Sequence, residues 1–279
     1  MSEWRNSGEE SPARRSLWEL FMGIFMLILV AVINMRTDER LLLQPKTDTG
    51  GSLAYDQFAL WNGAEDMEMA VFDGNQTGKS GYCVVLDAGH GASDPGKIGC
   101  NDAKEKDINL AIVQKLKKNL EAKGVKTVLT RESDEPLYDE SAVNKKMSDM
   151  NARVSIIESI LPDLVVSIHQ NSYHESSVYG PQVFYYKASE QGKKAAQYLQ
   201  ASFDGLEEIE NRRAAKANDN YYLLLHTSVP LVIAECGFLS NPKEAGLLIQ
   251  DSYQEKIAGV LCIGIMQYLE SGRETAPQE

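Results

Sequence analysis

Four histidines occur in 279 residues, and two of them stand where an apolar run gives way to polar text. The run YCVVLDAG opens into GHGASDPG, which sets His90 between two glycines, in a loop whose backbone can come close to a ligand. A second run ends in SIHQN, with His169 at its polar terminus, and a third, PLVIAECGF, carries Glu235 inside apolar text. A carboxylate in such a run is costly unless it pairs, binds a metal or does chemistry. Imidazoles and carboxylates brought together are the donor types of a zinc site, and its chemistry would be hydrolysis by an activated water. The residues alone leave Asp87, Asp94 and Asp102 competing for a further ligand position. Taken singly, each feature has a plainer reading. A strand-end histidine can be a hydrogen-bonded structural residue, Glu235 can neutralise a buried arginine, and GHGASDPG can cradle a phosphate, although it lacks GxGxxG and a GK[ST] ending. Their coincidence favours the metal. The sequence contains no HExxH, which excludes a helix-borne zincin site.

For these residues to meet, the runs that carry them must be neighbouring strands of one sheet. The text from Gly81 onward supplies that arrangement. YCVVLDAG, VKTVLTR, DLVVSIHQN, GPQVFYY and PLVIAECGF read as strands, and apolar residues at helical spacing lie between them over 107–123, 144–159, 190–206 and 253–270. Alternation of this kind predicts an α/β fold: a twisted, mostly parallel sheet with helices on both faces. In such sheets ligands gather beyond the carboxyl ends of the strands, where His90, His169 and Glu235 fall. Side chains alternate along a strand, so Cys236 is expected to point away from Glu235 and to be a buried thiol. Cys83 and Cys262 read as reduced core residues, and no CxxC spacing occurs. His174 and His226 read as surface or supporting residues, and Lys193, Lys194, Arg212, Arg213 and Lys216 as a solvated face that could also touch an acidic ligand.

Outside this region the character changes. With 28 basic and 40 acidic side chains the formal charge is −12, which argues against nucleic acid as a partner, because that binding is driven by lysine and arginine displacing counterions. Leu17 to Ile33 is apolar apart from Glu19, with Arg14 and Arg15 before it and Arg36 and Arg40 after it. Counting its flanks, the stretch approaches the ~20 residues that a bilayer needs, and no A-x-A cleavage pattern follows. It is predicted to be an uncleaved transmembrane helix. Residues 1–16 form a cytoplasmic tail, 17–35 the anchor, 36–80 an acidic linker, 81–272 the folded domain and 273–279 a tail. The expected location is a single-pass cell-membrane protein with its domain on the outer side.

VVLDAGHGASDPGKIG, EKDINLAIVQKLKKNLEAKGVKTVLTRESD, DLVVSIHQNS and VPLVIAECGFLSNPKEAGLL resemble, in order and spacing, the zinc-dependent N-acetylmuramoyl-L-alanine amidases of bacterial cell walls. The likeness covers about residues 81–270. GPQVFYY, NRRAAKANDNYYLLL and YQEKIAGVLCIGIMQYL are similar to the membrane-anchored spore-cortex members that prepare muramic lactam. The resemblance implies that His90, Glu105 and His169 hold Zn2+ and that Glu235 is the catalytic carboxylate. It also implies glycan strands and stem peptides of peptidoglycan as substrate, and an activating lipoprotein partner as in some members. Glu105 enters only through this resemblance; by itself it reads as a carboxylate stabilised by a helix N-terminus. Competing functions are a vegetative cell-separation or autolytic amidase, a zinc exopeptidase acting on ordinary peptides, and a catalytically silent, membrane-tethered wall-binding module.

Overall fold

The computed structural model describes residues 81–272. The membrane helix expected at 17–35 and the acidic linker at 36–80 lie outside the described residues. Among the described residues, no helix is long and apolar enough to cross a membrane.

Six strands alternate with helices: β1 (Cys83–Ala88), α1 (Glu105–Ala122), β2 (Lys126–Leu129), α2 (Lys145–Ile160), β3 (Leu164–Asn171), β4 (Gln182–Tyr186), α3 (Glu190–Ser202), β5 (Lys216–Asn218), α4 (Tyr222–His226), β6 (Leu231–Phe238), α5 (Pro242–Leu248) and α6 (Asp251–Ser271). They form one sheet in the order β2-β1-β3-β6-β4-β5. The first four strands in that order are mutually parallel, as expected, whereas β4 runs antiparallel to β6 and carries β5 parallel to itself. A reversed pair at the edge of a parallel sheet is a common arrangement.

Local chemistry sets the boundaries. Helix α1 buries Ile108, Ile112, Leu116 and Leu120, spaced four apart on one stripe, and Gly124 takes a left-handed φ of 78° just beyond its end. Asn144 caps α2 by accepting from the Met147 amide at 3.0 Å, and the helix stops at Leu161 before Pro162. Asn241 caps α5 in the same way, with Pro242 in its first turn.

Alternation along the strands divides the core between two faces. Val84, Leu86, Leu164, Val166, Val232, Ala234 and Cys236 belong to a large cluster with residues of α1, α3 and α6. Val85, Val165, Leu231 and Ile233 belong to a smaller one with Ile157 of α2 and Leu223 and Leu224 of α4. Helices therefore cover both faces, and Cys236 does lie on the face opposite Glu235. On the smaller face the strands turn polar toward their carboxyl ends. Asp87 sits beside Ser167, and His169 beside Glu235.

Candidate metal centre and active site

Beyond β1 the chain turns sharply, with His90 at φ 61° and Ala92 at φ 48°. That left-handed conformation is uncommon for residues other than glycine. It faces the His90 imidazole toward α1, where Nε2 lies 3.2 Å from Glu105 Oε2, while Nδ1 lies 2.9 Å from Asp94 Oδ2. His169 reaches the same carboxylate from β3, its Nδ1 being 2.9 Å from Glu105 Oε1. One ligand atom from each of His90, Glu105 and His169 fits within a span of 4.8 Å.

Glu105 opens α1, where the helix N-terminus favours negative charge, and it is buried. Its oxygens also accept the amides of Lys97 at 2.8 Å and Gln170 at 3.0 Å. Burial alone would raise its pKa, but His169 and His90 hold it well below the usual carboxylate range. Burial lowers the His90 imidazole, and Glu105 and then Asp94 more than reverse that. Two glycines leave room for the cluster. A Cβ on Gly89 would stand 2.2 Å from the His169 ring, and one on Gly96 would stand 2.5 Å from Glu105 Oε2.

Glu235 stands next to His169 across the β3–β6 pair, and immediately beyond them the register slips by one residue. Bulges of this kind often border active sites. Glu235 Oε2 is buried without a hydrogen-bond partner, and burial pushes the carboxyl up to about 7, with Glu105 adding to the rise and His169 and His90 opposing it. The cluster and Glu235 open onto a cleft of about 790 Å³, walled by Tyr138, Lys146, Asn171, Tyr221 and Tyr222 among others. Tyr221 packs edge-on against Phe184 at 5.5 Å between ring centroids. Its phenol is pushed up to about 12, first by burial and then by Glu235 and Glu105.

The residues present fit a metal ion. Two imidazoles and a carboxylate are a recurrent catalytic donor set that leaves a position open. Asp94 behind His90 is the kind of partner that fixes a ligand's ring and tautomer, and the orphaned Glu235 oxygen lies alongside.

The structure thus brings His90, Glu105, His169 and Glu235 together, and it sorts the competing aspartates. Asp87 is 2.5 Å from Arg153 Nη1 and accepts from Ser167 and Thr130, so it is an internal ion pair and not a ligand. Asp94 supports His90, and Asp102 is exposed in a turn. His174 and His226 are exposed, the latter stacked on Tyr222. Lys193, Lys194, Arg212, Arg213 and Lys216 do not line the cleft. All four cysteines are free; Cys236 and Cys262 are buried, whereas Cys83, expected in the core, is half-exposed. Sequence reasoning missed Tyr221, Arg153 and Arg131. Arg131 carried a usable signal, because it ends the run VKTVLTR as abruptly as Glu235 interrupts its own.

A relative from Bacillus subtilis, the germination-specific N-acetylmuramoyl-L-alanine amidase, is 35% identical over 193 residues, covering 68% of this chain and 80% of its own. Among solved structures, the CwlD amidase from Clostridioides difficile, in complex with the GerS lipoprotein, is 40% identical at a TM-score of 0.66, covering 68% of this chain and 99% of that one. The amidase AmiC2 of Nostoc punctiforme is 30% identical at a TM-score of 0.59, covering 68% and 97%. The family description that matches residues 84–267 is N-acetylmuramoyl-L-alanine amidase, and this chain belongs to that family.

Proposed function

We propose that the chain hydrolyses the amide between N-acetylmuramic acid and L-alanine in peptidoglycan, using Zn2+ held by His90, Glu105 and His169, and that it serves spore-cortex maturation by preparing muramic lactam. The observation that carries this reading is the His90–Glu105–His169 cluster with the unpartnered Glu235 oxygen beside it. Zn2+ held there would supply Lewis acidity for the scissile carbonyl and for a bound water near neutral pH. Glu235, buried and pushed up to about 7, takes the water's proton and passes it to the leaving L-alanine nitrogen. Asp94 keeps the His90 ring oriented throughout.

Residues 17–35 anchor the chain in the cell membrane, 36–80 act as an acidic stalk, and 81–272 work on the outer side. The likeness to a germination-specific amidase supports the cortex role. A neighbouring structure that contains a lipoprotein supports an activating lipoprotein partner here too.

The test is the purified full-length chain incubated with sacculi. Near one zinc per chain and release of stem peptides with free L-alanine amino termini are expected, with free dipeptides left intact. Cleavage of ordinary dipeptides instead would favour the exopeptidase. A deletion strain whose cortex keeps its muramic lactam would move the role to vegetative wall turnover.

A further inference from the structure

Arg131 stands two residues beyond the loop end of β2 and is 5% exposed, yet no carboxylate among the described residues lies within salt-bridge distance of it. Its guanidinium is instead solvated by four backbone carbonyls. Nε donates to Ala88 O at 2.9 Å, Nη1 to Ser133 O at 3.1 Å, and Nη2 to Gly89 O at 3.2 Å and Lys106 O at 2.8 Å. A buried cation is a costly way to satisfy carbonyls, so the choice of carbonyls matters. Gly89 directly precedes His90, and Lys106 directly follows Glu105. A single nitrogen therefore ties together the two backbone segments that carry the loop-borne and helix-borne members of the cluster.

Neighbouring donors act on the same segment. Arg153 Nη1 donates to Ala88 O at 2.9 Å and its Nη2 to His90 O at 2.7 Å, while Asn109 Nδ2 donates to Gly89 O at 3.1 Å. Three successive carbonyls, of residues 88, 89 and 90, are thus held by side chains where the backbone turns left-handed at His90.

We infer that Arg131 is a positioning residue for the metal centre: its Nη2 bridge sets the separation between the His90 and Glu105 backbones before a metal arrives. The inference rests on the metal reading proposed above. A guanidinium is needed because only a planar fork can serve several carbonyls in fixed directions. Lysine at this position keeps the charge and loses the bridge.

The experiment titrates full-length wild type and Arg131→Lys with Zn2+ against a competing chelator, and records the visible absorption of the Co2+-loaded proteins. Ile257→Val, in the large apolar core on α6, serves as a control for general loss of stability. Arg131→Lys is expected to bind Zn2+ about 10- to 100-fold more weakly and to give an altered Co2+ spectrum, whereas Ile257→Val keeps both at wild-type values. A folded Arg131→Lys with wild-type Zn2+ affinity overturns the inference, as does a loss no greater than that of the control. Should Arg131→Lys not fold, Asn109→Ala removes another donor from Gly89 O; a several-fold weaker Zn2+ affinity is expected, and an unchanged one overturns the inference. A wild-type chain that binds no Zn2+ would sink the metal reading together with this one.

Discussion

His169 and Glu235 reach the cleft from regular strands, whereas His90 and Glu105 reach it from a sharp turn and the start of a helix. The strand-borne pair is aligned by the β3–β6 ladder itself, so main-chain hydrogen bonds that the fold needs anyway also fix the two side chains. The turn-borne pair has no ladder. Its backbone is held by Arg131, Arg153 and Asn109, and a little further along the loop by Lys106, which donates to Ala92 O at 2.8 Å. Regular structure positions functional groups at little extra cost, while an irregular segment needs buried polar groups of its own, each destabilising if its partner is lost.

The sharpest way to separate the two sides is to remove chemistry from one without touching the other. Glu235→Gln should lower hydrolysis of sacculi roughly 10²- to 10⁴-fold and leave zinc content at the wild-type value; loss of zinc as well would mean that the strand-borne carboxylate also holds the cluster together. On the turn side, Arg153→Met strands Asp87 in the interior and should destabilise the fold by about 3–5 kcal/mol in denaturant titration. A loss below 1 kcal/mol would show that the turn does not depend on its clamp. Gly89→Ala tests where the sides meet, since the added methyl overlaps the His169 ring. Zinc affinity should fall about 10- to 100-fold, with little change in secondary structure by circular dichroism.

Acid should act on the clamp next. Burial would raise the Asp87 carboxyl, but Arg153, Ser167 and Thr130 hold it at about 2, against ~3.9 in an unfolded chain. A pKa lowered by folding contributes stability that is complete above about pH 4 and is lost as pH falls toward 2. Unfolding free energies across that range should drop by about 2 kcal/mol from this group, and Asp87→Asn should flatten that part of the slope. The smallest change is expected at exposed His174, where alanine should shift stability by less than about 0.5 kcal/mol and leave zinc affinity unaltered in the same titration.

What could be read from the chain follows the same division. Strand-borne residues were visible because a polar side chain interrupts an apolar run, so His169 and Glu235 stood out, and period-two alternation placed Cys236 on the other face. His90 was visible through its flanking glycines. Glu105 was not selected by pattern, since an acid at a helix start has a routine explanation; only the ordered motifs of the resemblance pointed to it. Arg131 ends its run as abruptly as Glu235 interrupts its own, but the backbone carbonyls it serves leave no residue-type spacing to name its partners, and Arg153 pairs with Asp87 across 66 residues of sequence. β5 and α4, three and five residues long, are too short for a periodic signal, and with them went Tyr221 and Tyr222 on the cleft wall. The reversal of β4 escaped for a different reason. The connection 172–181 between β3 and β4 holds no helix, a hint that parallel crossover geometry ends there.

The two outermost strands carry a further consequence. β2 and β5 span only four and three residues, and each begins with an exposed lysine, Lys126 and Lys216. Open strand edges are templates for pairing with another chain, and brevity and lysine are two of the features that blunt them. Among the described residues, the sheet therefore offers little purchase for strand addition at either end.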